Sequence, residues 1–112
     1  MSADERQFLL TATWMFMRHG QPARARTVCE ALVEDDPRDG VAAVALAELM
    51  LEYGEASRAV EVLRTAEVPP ELLHAAAFLE TRALKKDGRG REATSRWKRY
   101  LEFRKGAERR WI

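Results

Sequence analysis

Gly20-Gln21-Pro22-Ala23-Arg24-Ala25 returns as Gly54-Glu55-Ala56-Ser57-Arg58-Ala59 and again as Gly88-Arg89-Gly90-Arg91-Glu92-Ala93. Each copy sets an alanine five residues after a glycine, and successive glycines stand 34 residues apart. Glycine takes the left-handed conformation that stops a helix and reverses the chain. Alanine then lets the following helix cross its predecessor closely, with no large side chain between the axes. The stretches between these marks read as helix. Phe8, Leu9, Ala12 and Phe16, then Val28 and Leu32, fall at three- and four-residue steps, and so do Val44, Ala47 and Leu51, then Val62, Leu63 and Ala66. That spacing places them on one buried helix face. No segment shows the sustained alternation of a strand.

A helical pair recurring every 34 residues has the period of the tetratricopeptide repeat. Start signals agree with it: Ser2 with Glu5 forms a capping box, Pro22 and Pro70 suit a first helical turn, and Asp39 can cap the helix after Pro37. Small residues recur on the facing side of each first helix at Thr13, Ala47 and Thr81. The pattern predicts helices near residues 3–19, 22–35, 40–53, 56–67, 70–87 and 90–107, in repeats over about 6–39, 40–73 and 74–107. The expected fold is all-α: three helix-turn-helix repeats forming a short right-handed solenoid, as one domain over residues 1–112. Three units are near the minimum for such an array, because each pair buries its apolar face only against its neighbours.

Composition narrows the class further. With 46% apolar and 33% charged residues, the chain is too apolar for disorder and too charged for a membrane protein. Its longest apolar stretch, Val41 to Leu51, is interrupted by Glu48 and falls well short of the roughly 20 residues a spanning helix needs. The start Met1-Ser2-Ala3-Asp4-Glu5 lacks the basic segment and apolar core of a signal peptide, so a cytoplasmic location is expected. The single Cys29 has no internal disulfide partner.

Signs of catalysis are weak. Gly88-Arg89-Gly90-Arg91-Glu92-Ala93 fits a loose dinucleotide fingerprint, but that motif has meaning only after a strand, and here a helix precedes it. His19 and His74 have no companion at metal-ligand spacing, and His19 suits the carboxyl end of its helix, where a cation is favoured. Cys29 falls where this repeat carries a core residue and reads as packing rather than a reactive thiol. Asp35-Asp36 reads as a solvated pair beside a turn. No nucleophile, base and oxyanion site assemble, so no enzyme, metal or cofactor is expected.

What the pattern does supply is a surface. In stacked helical pairs the first helix of each pair lines the concave side. The repeat register projects Gln7, Leu10, Trp14 and Met17 there, then Val41, Val44, Glu48 and Leu51, then Ala75, Phe78, Arg82 and Lys85. This groove, apolar at one end and charged at the other, suits an amphipathic helix or extended segment of another protein, anchored by Trp14, Met17 and Phe78. Leu10, Val44 and Leu51 serve equally well as packing against neighbouring helices.

Charge is also segregated: residues 1–81 carry 7 basic and 14 acidic side chains, and residues 82–112 carry 12 and 4, so the near-neutral total of +1 joins an acidic body to a basic cap. Arg89, Arg91, Arg96, Lys98, Arg99, Arg104, Lys105, Arg109 and Arg110 build that cap. It reads first as a solvated outer face, then as a dock for an acidic protein surface. RNA binding, with Trp97, Tyr100 and Trp111 stacking on bases, comes last.

Phe8-Leu9-Leu10, Trp14, Gly20, Arg24-Ala25 and Ala31-Leu32 at one end, and Arg82-Ala83, Gly88, Ala93 and Tyr100-Leu101-Glu102 at the other, resemble the YscY family of type III secretion chaperones. The likeness covers the first and third repeats; Val41 to Glu67 departs more, and Gly106 to Ile112 has no counterpart. Gly20, Ala25, Gly88 and Ala93 belong to any tetratricopeptide protein, so Phe8-Leu9-Leu10 with Trp14 and Tyr100-Leu101-Glu102 narrow the match. The resemblance implies a small cytoplasmic protein that binds a small secreted partner of the YscX type and, with it, engages the export-gate membrane protein of the injectisome. Needle-subunit chaperones of the YscG type are similar in size and repeat count. On this reading Leu10, Trp14, Met17, Val41, Val44, Glu48, Leu51, Phe78, Arg82 and Lys85 meet the partner, and Arg104, Lys105, Arg109 and Arg110 meet the gate.

Overall fold

A computed structural model describes residues 1–109 as three helical pairs: α1 (Ala3–Arg18) with α2 (Pro22–Asp35), α3 (Gly40–Glu52) with α4 (Ala56–Thr65), and α5 (Leu73–Lys86) with α6 (Gly90–Arg109). Each pair is closed by the same turn. Gly20, Gly54 and Gly88 have φ of 68°, 75° and 76°. The residue after each glycine donates its N–H back five positions, Gln21 to Phe16 O at 2.8 Å, Glu55 to Met50 O at 2.9 Å and Arg89 to Leu84 O at 2.8 Å. These are Schellman closures, which satisfy carbonyls that a helix end otherwise leaves free. The alanines five residues on are all buried, as expected for close crossings: Ala25 and Ala59 at 0% exposure and Ala93 at 3%.

The caps fall where the sequence put them. Ser2 Oγ accepts from Glu5 N at 3.1 Å, and Asp39 accepts from Ala42 N at 3.2 Å. Three boundaries differ from expectation, the simplest being the end of α6 (Gly90–Arg109), which runs to Arg109 rather than 107. α4 stops at Thr65 rather than 67 because Ala66 turns extended and Glu67 donates its N–H to Arg38 O at 2.9 Å. Helix five does not begin at residue 70: the adjacent prolines hold a 3-10 turn, Pro70–Leu72, closed by Leu72 N to Pro69 O at 2.9 Å, and α5 proper starts at Leu73. The same crossing constrains Gly40. A Cβ there would collide with the Glu67 carbonyl and come within 2.8 Å of Pro69 Cδ and Val68 Cα, so only glycine lets the two segments meet.

The helices stack in order, with α2 on α3 and α4 on α5, and α3 also touches α5. The Cα radius of gyration of 14.8 Å exceeds the roughly 13 Å of a compact globule this long, as stacking in one direction requires. The middle pair holds most of the core: Leu46, Leu49, Met50 and Val60 are among the largest fully buried side chains, with Leu32, Cys29 and Leu84 from its neighbours. Ionic clasps seal the junctions. Arg26 of α2 pairs with Glu55 at the start of α4, lies 2.6 Å from Glu30 and sits 5.1 Å over the Tyr53 ring. Buried Glu80 of α5 accepts from Arg64 of α4 at 3.2 Å and from Arg96 of α6 at 2.9 Å.

Candidate protein-binding surface

The concave face carries two wells rather than one groove. The first, about 440 Å³, lies between α1 and α3 and is lined by Arg6, Gln7, Leu10, Thr11, Trp14 and Val41. Trp14 is 53% exposed, an unusual state for so large an apolar side chain. Its ring is held by Arg18, whose guanidinium carbon lies 4.7 Å from the ring centroid. Val41 is exposed, and Leu10 and Met17 are half-buried, Met17 against the core.

One rim of this well is fixed by a charge pair the sequence reading missed. Arg6 grips Asp39 with two hydrogen bonds, Nε to Oδ2 at 2.7 Å and Nη2 to Oδ1 at 3.0 Å. The forked geometry suits guanidinium and carboxylate. Arg6 holds the Asp39 carboxyl below the usual carboxylate range, aided by the Ala42 N–H and opposed by burial. Asp39 in turn pushes the Arg6 guanidinium up. One carboxylate thereby caps α3 and ties α1 to it. A helix-start aspartate is legible in sequence, but its partner 33 residues away is not.

The second well, about 310 Å³, lies between α5 and α6 and is lined by Phe78, Thr81, Arg82, Lys85 and Trp97. Phe78 is 52% exposed, and Arg82 and Lys85 are exposed beside it. Behind it an aromatic cluster stiffens the wall. His74 Nδ1 and Tyr100 Oη are 3.0 Å apart, and the His74 ring meets Trp97 and Tyr100 edge-on at 6.0 and 5.5 Å. Trp97 and Tyr100 thus pack within the last pair, half-buried, rather than standing free to stack on bases.

Between the wells the expected contacts do not hold. Val44 and Leu51, assigned to the partner, are 9% and 4% exposed and belong to the core. α3 has a helical pair on either side, so residues that sit open in α1 are covered there. Glu48 does face solvent between the wells. The structure therefore brings Leu10, Trp14 and Val41 together at one end and Phe78, Arg82 and Lys85 at the other.

The basic cap is less free than its composition implies. Arg89 lies 2.5 Å from Glu92, Arg96 is held by Glu80, and Arg104 pairs with Glu108 at 3.2 Å. Arg91, Lys98, Arg99, Lys105 and Arg109 are exposed. Of the proposed gate residues, Arg110 lies outside the described residues, as does Trp111. Cys29 is fully buried, donating to Thr13 Oγ1 at 3.7 Å, and burial pushes its thiol up, which suits packing. Asp35 and Asp36 are exposed, Asp36 Oδ1 accepting from Arg38 N at 3.1 Å in the turn. Among the described residues no helix is long and apolar enough to cross a membrane.

Residues 16–67 match the family model described as tetratricopeptide repeat, a span running from the end of α1 through α4. Repeats of this kind generally mediate protein–protein interaction. No curated protein matches the chain.

Proposed function

We propose that this small tetratricopeptide-repeat protein is a type III secretion chaperone of the YscY kind. It holds a small secreted, YscX-like protein as a heterodimer and helps it engage the cytoplasmic domain of the export-gate membrane protein. The observation that carries the binding part is Trp14, half exposed in an apolar well beside Leu10 and Val41. A large aromatic at the centre of a concave well is what an interface anchor looks like. Support for the secretion system comes from the residue pattern of Phe8-Leu9-Leu10, Trp14 and Tyr100-Leu101-Glu102.

An early export substrate has apolar helices that would associate prematurely, and two wells with Glu48 between them can cover such a helix at two anchor points. Arg82 and Lys85 pair with acids flanking the second anchor. A few anchors give an affinity that still permits handover. The reading assigns the chain no reaction and no cofactor; it acts in the cytoplasm, peripherally at the apparatus, without membrane insertion. Arg104, Lys105, Arg109 and Arg110 meet the gate.

Co-expression with the small open reading frames beside its gene tests the reading. A YscX-like protein should co-purify; a needle subunit would instead make the chain a YscG-type chaperone, and salt-sensitive retention on RNA alone would favour a nucleic-acid module. In the purified pair, Trp14→Ala should weaken binding about thirtyfold, roughly 2 kcal/mol. Unchanged affinity with an intact circular dichroism spectrum would remove Trp14 from the site. Charge reversal at the four cap residues should abolish gate binding and spare the secreted partner; loss of both or of neither would count against that assignment.

A further inference from the structure

The molecule makes one kind of junction twice: the second helix of a repeat lies on the first helix of the next, α2 on α3 and α4 on α5. On the receiving side the register places Ala42, Leu46 and Leu49 in α3, and Ala76, Glu80 and Ala83 in α5, all of them buried. The same register positions in α1 are Phe8, Ala12 and Met15, and there Phe8 is 72% and Met15 45% exposed. On the giving side the register places Arg26, Glu30 and Val33 in α2, and Val60 and Arg64 in α4, the third position, Glu67, falling just past its end. There Val60 is 1% exposed, Arg26 reaches Glu55 and Arg64 reaches Glu80. In α6 these positions are Thr94, Lys98 and Leu101, all exposed. The two ends of the array thus present the two unmatched halves of a junction the chain already builds internally.

Charge separates the ends in the complementary sense. The α1 face begins at Asp4 and Glu5 in the acidic body, and the α6 face carries Lys98 and Lys105 in the basic cap. An antiparallel crossing, as in the internal junctions, sets Asp4 and Glu5 beside the last turns of α6, where Lys105 stands. We propose that a second copy of this chain fills the open end: α6 of one molecule docks through Thr94, Lys98 and Leu101 on Phe8, Ala12 and Met15 of the next, continuing the solenoid head to tail. The contact is heterologous, so it extends rather than closing on a pair. It uses none of the residues that line the two wells, so it is independent of partner binding there, and it shares only Lys105 with the proposed gate contact.

Light scattering after size exclusion, over a concentration series of the purified chain, reads this directly. Average mass should climb past the dimer as concentration rises and drop as salt is added, since the contact joins acid to base. Met15→Glu blocks one end and Leu101→Glu the other; each should associate at least tenfold more weakly, and their mixture should form a 1:1 pair, because each supplies the end the other lacks. Circular dichroism establishes that each variant folds; Asp4→Lys and Lys98→Glu replace any that does not. A wild-type chain that stays monomeric throughout the series at low salt overturns the proposal. So does a Leu101→Glu variant that dimerises alone, which would mean α1 against α1, and so does a monomeric chain whose Phe8 and Met15 face is filled only by a different protein's helix.

Discussion

α1 and α3 hold the same place in successive repeats, yet α3, the more apolar of the two, buries nine of its residues and α1 only Thr13. Composition accounts for part of the difference and surroundings for the rest: α3 has a helical pair on each side, and α1 has one on a single side. Burial in a stacked array is therefore set by position in the stack as much as by the helix's own residues. The consequence is functional, because the side chains left open on α1, Trp14 above all, are those available to bind.

Equivalent positions give the sharpest way to break that comparison. Leu49 in α3 and Met15 in α1 occupy the same register, at 1% and 45% exposure. In urea denaturation Leu49→Ala should cost about 3 kcal/mol, and Met15→Ala no more than about 0.5 kcal/mol. Equal losses would mean that α1 is covered in solution. α5 offers the same helix position in the second internal junction, sealed by charge. Glu80→Ala leaves Arg64 and Arg96 facing an empty site and should lower stability by about 2 kcal/mol, with Glu80→Gln losing less.

The tie between the two helices responds to pH. Because Arg6 depresses the Asp39 pKa, the stabilisation is complete above the ordinary carboxylate range and disappears as pH falls through the depressed value. Asp39→Asn should therefore cost about 1–2 kcal/mol at neutral pH, keeping part of the cap but losing the ion pair. Its thermal midpoint should fall less steeply than wild type on acidification; parallel pH profiles would remove Asp39 from that role. The smallest effect marks where the two regions ought to agree. Around Gly20 and Gly54 nothing lies within 4 Å of an added Cβ, so only the left-handed backbone resists substitution. Alanine at either should cost the same, about 1 kcal/mol, and a larger loss at Gly54 would show that the turn itself differs between the repeats.

The periodic features were legible in the sequence because they are local. The glycine-alanine marks and the Asp39 and Ser2 caps each follow from a few neighbouring residues, and each appears in the structure. What escaped depends on partners distant in sequence. Leu10, Val44 and Leu51 look alike on paper, and only the number of flanking pairs decides that the latter two are sealed. Arg6 reaches Asp39 across a whole repeat. Glu80 did leave a signal, since its two arginines stand 16 residues to either side, a symmetry that the helix-pair geometry converts into a clasp. Pro70 alone suits a helix start, but with Pro69 before it the chain makes a 3-10 turn first and the helix begins at Leu73.

Cys29 sits at 0% exposure in the contact between α1 and α2, its sulfur against Thr13. The chain thus contains one thiol, placed in the pair whose outer side is bare. A reagent in solution can reach it only when that pair parts, so the rate of thiol modification under native conditions is a clock for opening of the first repeat. Adding a bound helix across Trp14, or a neighbour across Phe8, would slow that clock without touching the sulfur.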